Sequence, residues 1–168
     1  MAKKKANSTV DLVKKLVAVL ASVVTFVFFF MESMALKVST PNIISGGYST
    51  ATEPVKLSDL LFNDDSVYEV IRETYSLATI VMWVSLVLVA VAIVATIYGL
   101  VASKNGAKFS KLGAVALLVG VVALFAVNFD VTTNVLKVET NISNLTTLYF
   151  VSLGLSVVGL GATATLKK

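Results

Sequence analysis

Residues 76–103 read SLATIVMWVSLVLVAVAIVATIYGLVAS, without a single formal charge. A hydrocarbon core of roughly 30 Å is crossed by about 20 helical residues, so this stretch by itself assigns part of the chain to lipid. Three further uncharged runs accompany it: Leu16–Met31, Leu112–Phe129 and Asn141–Leu166, the apolar part of the last beginning near Leu148. Over 168 residues the composition is 57% hydrophobic and 14% charged, with a mean hydropathy of +0.88, too apolar for a wholly water-exposed surface. The first run is short, but Lys14 and Lys15 can snorkel at one end and Glu32 can reach headgroups at the other, which lengthens the usable helix. The expected fold is therefore an all-α membrane protein: a four-helix transmembrane bundle carrying a small extracellular β-sheet or hairpin cap. In a single domain over residues 1–168, spans are expected at about 12–34, 67–102, 112–130 and 147–166. Outer loops then cover 35–66 and 131–146, and an inner loop 103–111.

The basic start (Lys3, Lys4, Lys5), the apolar run after it and Ser33-Met34-Ala35 together imitate a secretory signal with a small-x-small cleavage site. The length favours a retained signal anchor, and the first span is expected to stay on the chain. Lysines and arginines near the spans set orientation. One side collects Lys3, Lys4, Lys5, Lys14, Lys15, Lys104, Lys108, Lys111, Lys167 and Lys168 against Asp11 alone, a formal +9. The other holds Lys37, Lys56, Arg72 and Lys137 against nine carboxylates, a formal −5, and the two sides together make the +4 of the chain. Both termini are thus expected in the cytoplasm, in a multi-pass plasma-membrane protein. The basic balance needs no nucleic acid to explain it.

Leu36-Lys37-Val38 and Leu136-Lys137-Val138 are the same tripeptide, each placed just after an apolar run. Apolar and polar residues alternate in both, with β-branched residues, as in a strand leaving a span. The first and third spans run in the same direction, so strands continuing from them are expected side by side in one extracellular sheet, with or without a hairpin strand between. Gly46-Gly47 separates two β-prone runs in residues 42–50 and reads as a hairpin turn. Pro41 and Pro54 fit strand ends or edges. Ser66 followed by Glu69 reads as an N-cap and capping box. The helix that starts there is expected to continue unbroken from Val67 to Ala102, about 54 Å at 1.5 Å per residue, standing out of the membrane as a post.

Helices in lipid associate through small residues and close packing. Ala95 and Gly99 in the second span, Gly113, Ala116, Gly120 and Ala123 in the third, and Ser152, Ser156 and Gly159 in the fourth lie at helical spacing and are the expected packing positions. Gly120→Leu should force backbones apart, and Val121→Leu should be tolerated. The Phe26–Phe30 segment is expected to face lipid.

Little chemistry is available. The chain has no Cys and no His, which removes disulfides, thiolate nucleophiles, sulfur metal sites and the commonest general base. The spans lack ionisable residues at their centres, unlike proton-coupled pumps. Asp59, Asp64, Asp65, Glu69 and Glu73 form an acidic set without the spacing of a calcium loop. Catalytic, cofactor-binding and metal residues are therefore assigned to none, and no small-molecule substrate is indicated. The order of parts resembles that of claudin-type tetraspan membrane proteins: cytoplasmic termini, a long first outer loop with strands and a helix entering the second span, and a shorter second loop. The Trp and Cys signature of the claudin first loop is absent, since the only Trp, Trp83, lies inside a span. The expected role is a structural or pore-forming subunit acting by oligomeric assembly. The expected partners are the bilayer and either further copies of the chain or other membrane subunits. An accessory subunit of a transporter or secretion complex, or a passive channel, are the alternatives.

Overall fold

The computed structural model describes residues 2–41, 46, 48–74, 76–102, 104–127, 129–133, 138–143 and 146–166. It is mostly helical, with one small sheet. Helix α1 spans Ala2–Phe28; strands β1 (Met34–Pro41) and β2 (Tyr48–Val55) follow, then short helices α2 (Leu57–Phe62) and α3 (Ser66–Thr74). The long helices α4 (Ser76–Val101) and α5 (Gly106–Ala123, with a 3-10 turn at Leu124–Ala126) are joined by a tight connection. Strands β3 (Phe129–Thr133) and β4 (Val138–Ser143) lead to α6 (Thr147–Ala164).

Among the described residues, three helical segments are long and apolar enough to cross a membrane: Ser76–Val101, Gly106–Ala126 and Thr147–Ala164. The first of the four expected spans falls short, for a reason visible in its sequence. The uncharged helical part of α1 is Leu16–Phe28, 13 residues, about 20 Å at 1.5 Å per residue, and Asp11, Lys14 and Lys15 precede it. The helix also stops before the expected boundary at 34. Phe29, Phe30 and Met31 donate backbone bonds to Phe26, Val27 and Phe28, and the Ser58 N–H donates to the Phe29 carbonyl at 3.1 Å. The last carbonyls of α1 are thereby satisfied, and β1 begins at Met34. The turn also folds Phe29 inward to 4% exposure, so Phe26–Phe30 is not a uniform lipid face. At 100° per helical residue, five consecutive side chains cannot share one direction.

The post expected from Val67 to Ala102 is not straight. Thr79 Oγ1 lies 3.5 Å from the Arg72 carbonyl, seven residues earlier, whereas seven residues rise about 10.5 Å along a straight helix. The chain bends between α3 and α4; Tyr75, at the junction, lies outside the described residues. The Arg72 guanidinium donates to the Asn63 carbonyl at 2.7 Å and to that of Leu60 at 3.4 Å, tying α3 to α2. Ser66 is the first helical residue of α3, not its N-cap: the Asp65 carbonyl accepts from Glu69 N–H at 3.1 Å.

The sheet has the order β2-β1-β4-β3, antiparallel throughout. β1 and β2 form a hairpin whose first arm is Met34–Pro41, upstream of the run expected at 42–45; Gly46, in the connection, has a φ of +69° that suits glycine, and residues 42–45 and Gly47 lie outside the described residues. Leu36, Lys37 and Val38 are in β1 and Val138 opens β4, while Leu136 and Lys137 lie outside the described residues. The geometry differs from the side-by-side outgoing strands expected from the repeat. The strand that continues from α5 is β3, at the far edge; the neighbour of β1 is the returning strand β4, with Val38 opposite Thr140. β2 lies on the outer side of β1 and not between the two. The short connection between β3 and β4 lets them pair at once, and antiparallel neighbours on both sides of β1 keep the ladder of strand directions alternating.

Under the sheet, Met34, Val55, Leu57, Leu60 and Leu61 join Phe29, Ile71, Met82, Leu124 and Tyr149 in a continuous apolar core, which extends between the helices through Val89, Leu117 and Val121. α4 packs along α5 and α1 along α6, while α1–α4 and α5–α6 contacts join the two pairs.

Candidate functional site: interhelical seams and the helix–sheet junction

The α4–α5 seam is built on glycines. A Cβ at Gly113 would stand 2.6 Å from Thr96 Cγ2 and 2.9 Å from the Ala92 carbonyl oxygen. At Gly99 it would meet the Ser110 backbone nitrogen at 2.6 Å, and at Gly106 the Gly99 carbonyl oxygen at 2.6 Å. Gly120 is less tight, 3.1 Å from Leu88 Cβ and 3.2 Å from the Ser85 carbonyl oxygen. Only hydrogen-sized side chains allow two helix backbones this close. The α1–α6 seam is looser: a Cβ at Gly159 would lie 3.4 Å from Ala21 Cβ. Of the other positions singled out in the sequence, Ala95, Ser152 and Ser156 are buried, and Ala116 and Ala123 are half-buried. Val121 is wholly buried in the core, whereas its neighbours Val119 and Val122 are about half exposed; the tolerance expected of Val121→Leu belongs to those neighbours.

A second feature, the hydrogen bonding of buried hydroxyls, was not read from the sequence, although Ser152 and Ser156 stand among the expected packing positions. Ser22, Thr25, Ser85, Thr96, Ser110, Ser152, Ser156 and Thr163 are buried hydroxyls among apolar side chains. Ser85 Oγ donates across the seam to the Gly120 carbonyl at 2.6 Å, and Ser22 Oγ and Thr96 Oγ1 meet between α1 and α4 at 3.1 Å. Ser152, Ser156 and Thr163 donate within α6, to Leu148 at 2.9 Å, Leu153 at 2.7 Å and Gly159 at 3.1 Å. Thr25 Oγ1 and Ser110 Oγ are buried without a hydrogen-bond partner among the described residues. The sequence signal was the helical recurrence of Ser and Thr on the same faces as the small residues.

At the helix–sheet junction a single hydroxyl serves two chain segments. Thr146 is the N-cap of α6: Oγ1 accepts from Tyr149 N–H at 3.3 Å and donates to the Ser33 carbonyl at 2.6 Å. Beside it lies a cavity of about 20 Å³ lined by residues including Phe29, Met34, Leu57, Val121 and Tyr149. That is room for about one water molecule. At the opposite end, Asn105 takes a left-handed conformation (φ 62°) before α5, a conformation to which Asn is suited. An open groove of about 280 Å³ there is lined by Asn105, Lys108, Phe109 and Leu112, and Tyr98 and Phe109 meet edge to face with centroids 4.7 Å apart.

Among the described residues, no three His, Cys, Asp or Glu side chains stand together in a group that could hold a metal ion. What the molecule presents is close-packed seams inside and apolar surface outside, including Ile80, Val87, Val94, Val101, Val115 and Val158. Compared with known protein families, with curated proteins and with solved structures, the chain finds no match. The claudin-type resemblance therefore rests on the order of parts alone.

Proposed function

We propose that this chain is an integral membrane subunit that works by assembling with further copies of itself, as a structural element or the wall of a pore. In this reading α1 completes a four-helix transmembrane bundle, its Lys14 and Lys15 snorkelling to one interface, and the sheet forms an extracellular cap. The charge division supports cytoplasmic termini in a plasma-membrane protein. The observation that carries the reading is the direction of the side chains. Thr9, Ser76 and Thr147 are exposed near the ends of the long helices and Thr79 is half-buried. Along the apolar stretches the other Ser and Thr side chains from Ser22 to Thr163 are buried, where most bond a backbone carbonyl or one another, and the large outward side chains are Val, Ile, Leu and aromatic. A molecule so arranged offers lipid and neighbouring helices an apolar surface and offers a substrate no converging titratable groups. Measuring the mass of the purified particle in nanodiscs tests the proposal. A homo-oligomer of defined size is expected; a monomer, or a particle held together by an unrelated chain, would overturn it.

A further inference from the structure

Among the described strands, β2 and β3 are the outer two of the sheet. Edge strands of proteins that remain monomeric are blunted by charges, prolines, bulges or brevity. β2 has 8 residues, and its register on β1 runs unbroken from Met34 opposite Val55 to Pro41 opposite Tyr48, so no bulge interrupts it. Its outer part, Tyr48–Thr52, holds neither charge nor proline; Glu53 and Pro54 come only at its base. Ser49, Thr50, Ala51 and Thr52 are all exposed. Successive residues of a strand point to opposite faces, so both faces of the strand are exposed there. β3 has 5 residues in unbroken register with β4 and one charge, Asp130.

Strand direction selects the partner. Each strand has one end at the helix layer, so β1 and β3 lead away from it and β2 and β4 return. The order β2-β1-β4-β3 therefore alternates strictly, and its two edges run in opposite directions. Copies in one membrane share one orientation and are related by rotation about the membrane normal. Such a rotation makes β2 against β2, or β3 against β3, a parallel pair. Only β2 against β3 is antiparallel and continues the alternation. The width also fits. Four strands at about 4.8 Å span roughly 19 Å, close to the roughly 16–20 Å of two helices packed side by side, so copies touching at their helices bring these edges together.

Resting on the assembly reading above, we propose that a second copy of this chain adds its β3 to β2, joining the sheets edge to edge in a head-to-tail contact that can close into a ring. The ladders fix the register. Ala51 is opposite Val38, Val38 opposite Thr140, and Thr140 opposite Val131, so Ala51 and Val131 are level within one sheet. Copies at equal height then place Ala51 opposite Val131 of the next copy, Ser49 opposite Thr133 and Glu53 opposite Phe129. A slip of one residue would reverse the faces, so any displacement comes in steps of two.

The native chain has no cysteine, which makes disulfide mapping direct. Within one copy, Ala51 and Val131 are three strand spacings apart, about 14 Å, beyond the roughly 7 Å Cα limit for a disulfide. The full chain in nanodiscs carrying A51C and V131C together should give, on oxidation, a ladder of covalent dimers, trimers and larger species. Either single variant should give none beyond a dimer, and a mixture of the two single variants should give the mixed dimer. S49C with T133C supplies an independent pair at the strand tips. If the particle is oligomeric but neither pair crosslinks, nor A51C with a cysteine at 129 or 133, the edge contact is overturned while assembly stands. If the particle is a monomer, both fall.

Discussion

Glycine-to-alanine substitution along α4, α5 and α6 forms a graded probe of the seams. In a helix the change is worth up to about 1 kcal/mol in favour of alanine, so an alanine that meets open space should stabilise. At Gly154 and Gly161 an added methyl would have nothing within 4 Å, and Gly154→Ala should gain up to about 1 kcal/mol. At Gly113 the methyl would meet the Ala92 carbonyl oxygen at 2.9 Å and the Thr96 nitrogen at 3.0 Å, where ordinary contact begins at 3.4 Å. Both are backbone atoms, so α4 and α5 must separate by about 0.5 Å, loosening the Ser22–Thr96 contact as they do. Overpacking of this kind costs about 1–3 kcal/mol; set against the propensity gain it leaves a net loss of up to about 2 kcal/mol, and because the gain is common to both variants the gap between them is about 1–3 kcal/mol. Gly120→Ala should fall between them. Reversible unfolding by SDS in mixed micelles, followed by circular dichroism, reads the order. If Gly113→Ala is as stable as Gly154→Ala, the seam is not close-packed and the reasoning fails.

Thr146→Val should lose about 1.5–2.5 kcal/mol, because it removes both the N-cap and the bond to the Ser33 carbonyl; Thr146→Ser should recover most of it, and equal melting of Val and Ser variants would count against the double role. Ser85→Ala should cost about 0.6 kcal/mol and no more than about 1.7 kcal/mol in the same SDS titration, and a larger loss would point to a role beyond the bond to Gly120. Thr52→Cys should react with an impermeant maleimide added outside cells and Lys108→Cys should not; the reverse pattern would invert the proposed orientation.

The apolar runs were enough to locate α4, α5 and α6, because an uncharged stretch of that length has few alternatives to a buried or lipid-facing helix. The end of α1 was not legible: it is set by the Ser58 N–H meeting the Phe29 carbonyl, a contact between residues far apart in sequence. Helix α2 was missed although Leu57, Leu60 and Leu61 carry its periodicity, since one and a half turns give too little repetition to separate helix from loop. The sheet was anticipated from alternation at Leu36–Val38, but alternation gives a strand and not its neighbour. Pairing β1 with the returning strand depends on the short connection from β3 to β4 and on direction, neither of which a tripeptide encodes. Spacing alone pointed to Gly99, Gly113 and Gly120, where the helices come close, whereas the load on Ser22, Ser85 and Thr96 depends on which helices face one another.

The central position of β1 in the sheet also affects how the chain is made. β1 and β2 are complete once residue 55 is synthesised, but the second neighbour of β1 ends at Ser143. The ribosome must add 88 further residues, from 55 to 143, which at about 5–20 residues per second takes roughly 4–18 s. Throughout that interval β2 is the one sheet neighbour that β1 can have, and the Ser33 carbonyl waits for Thr146. A nascent chain is thus exposed to mispairing with its neighbours on crowded polysomes for many times the microseconds a hairpin needs to form, and the last loop to emerge closes the first.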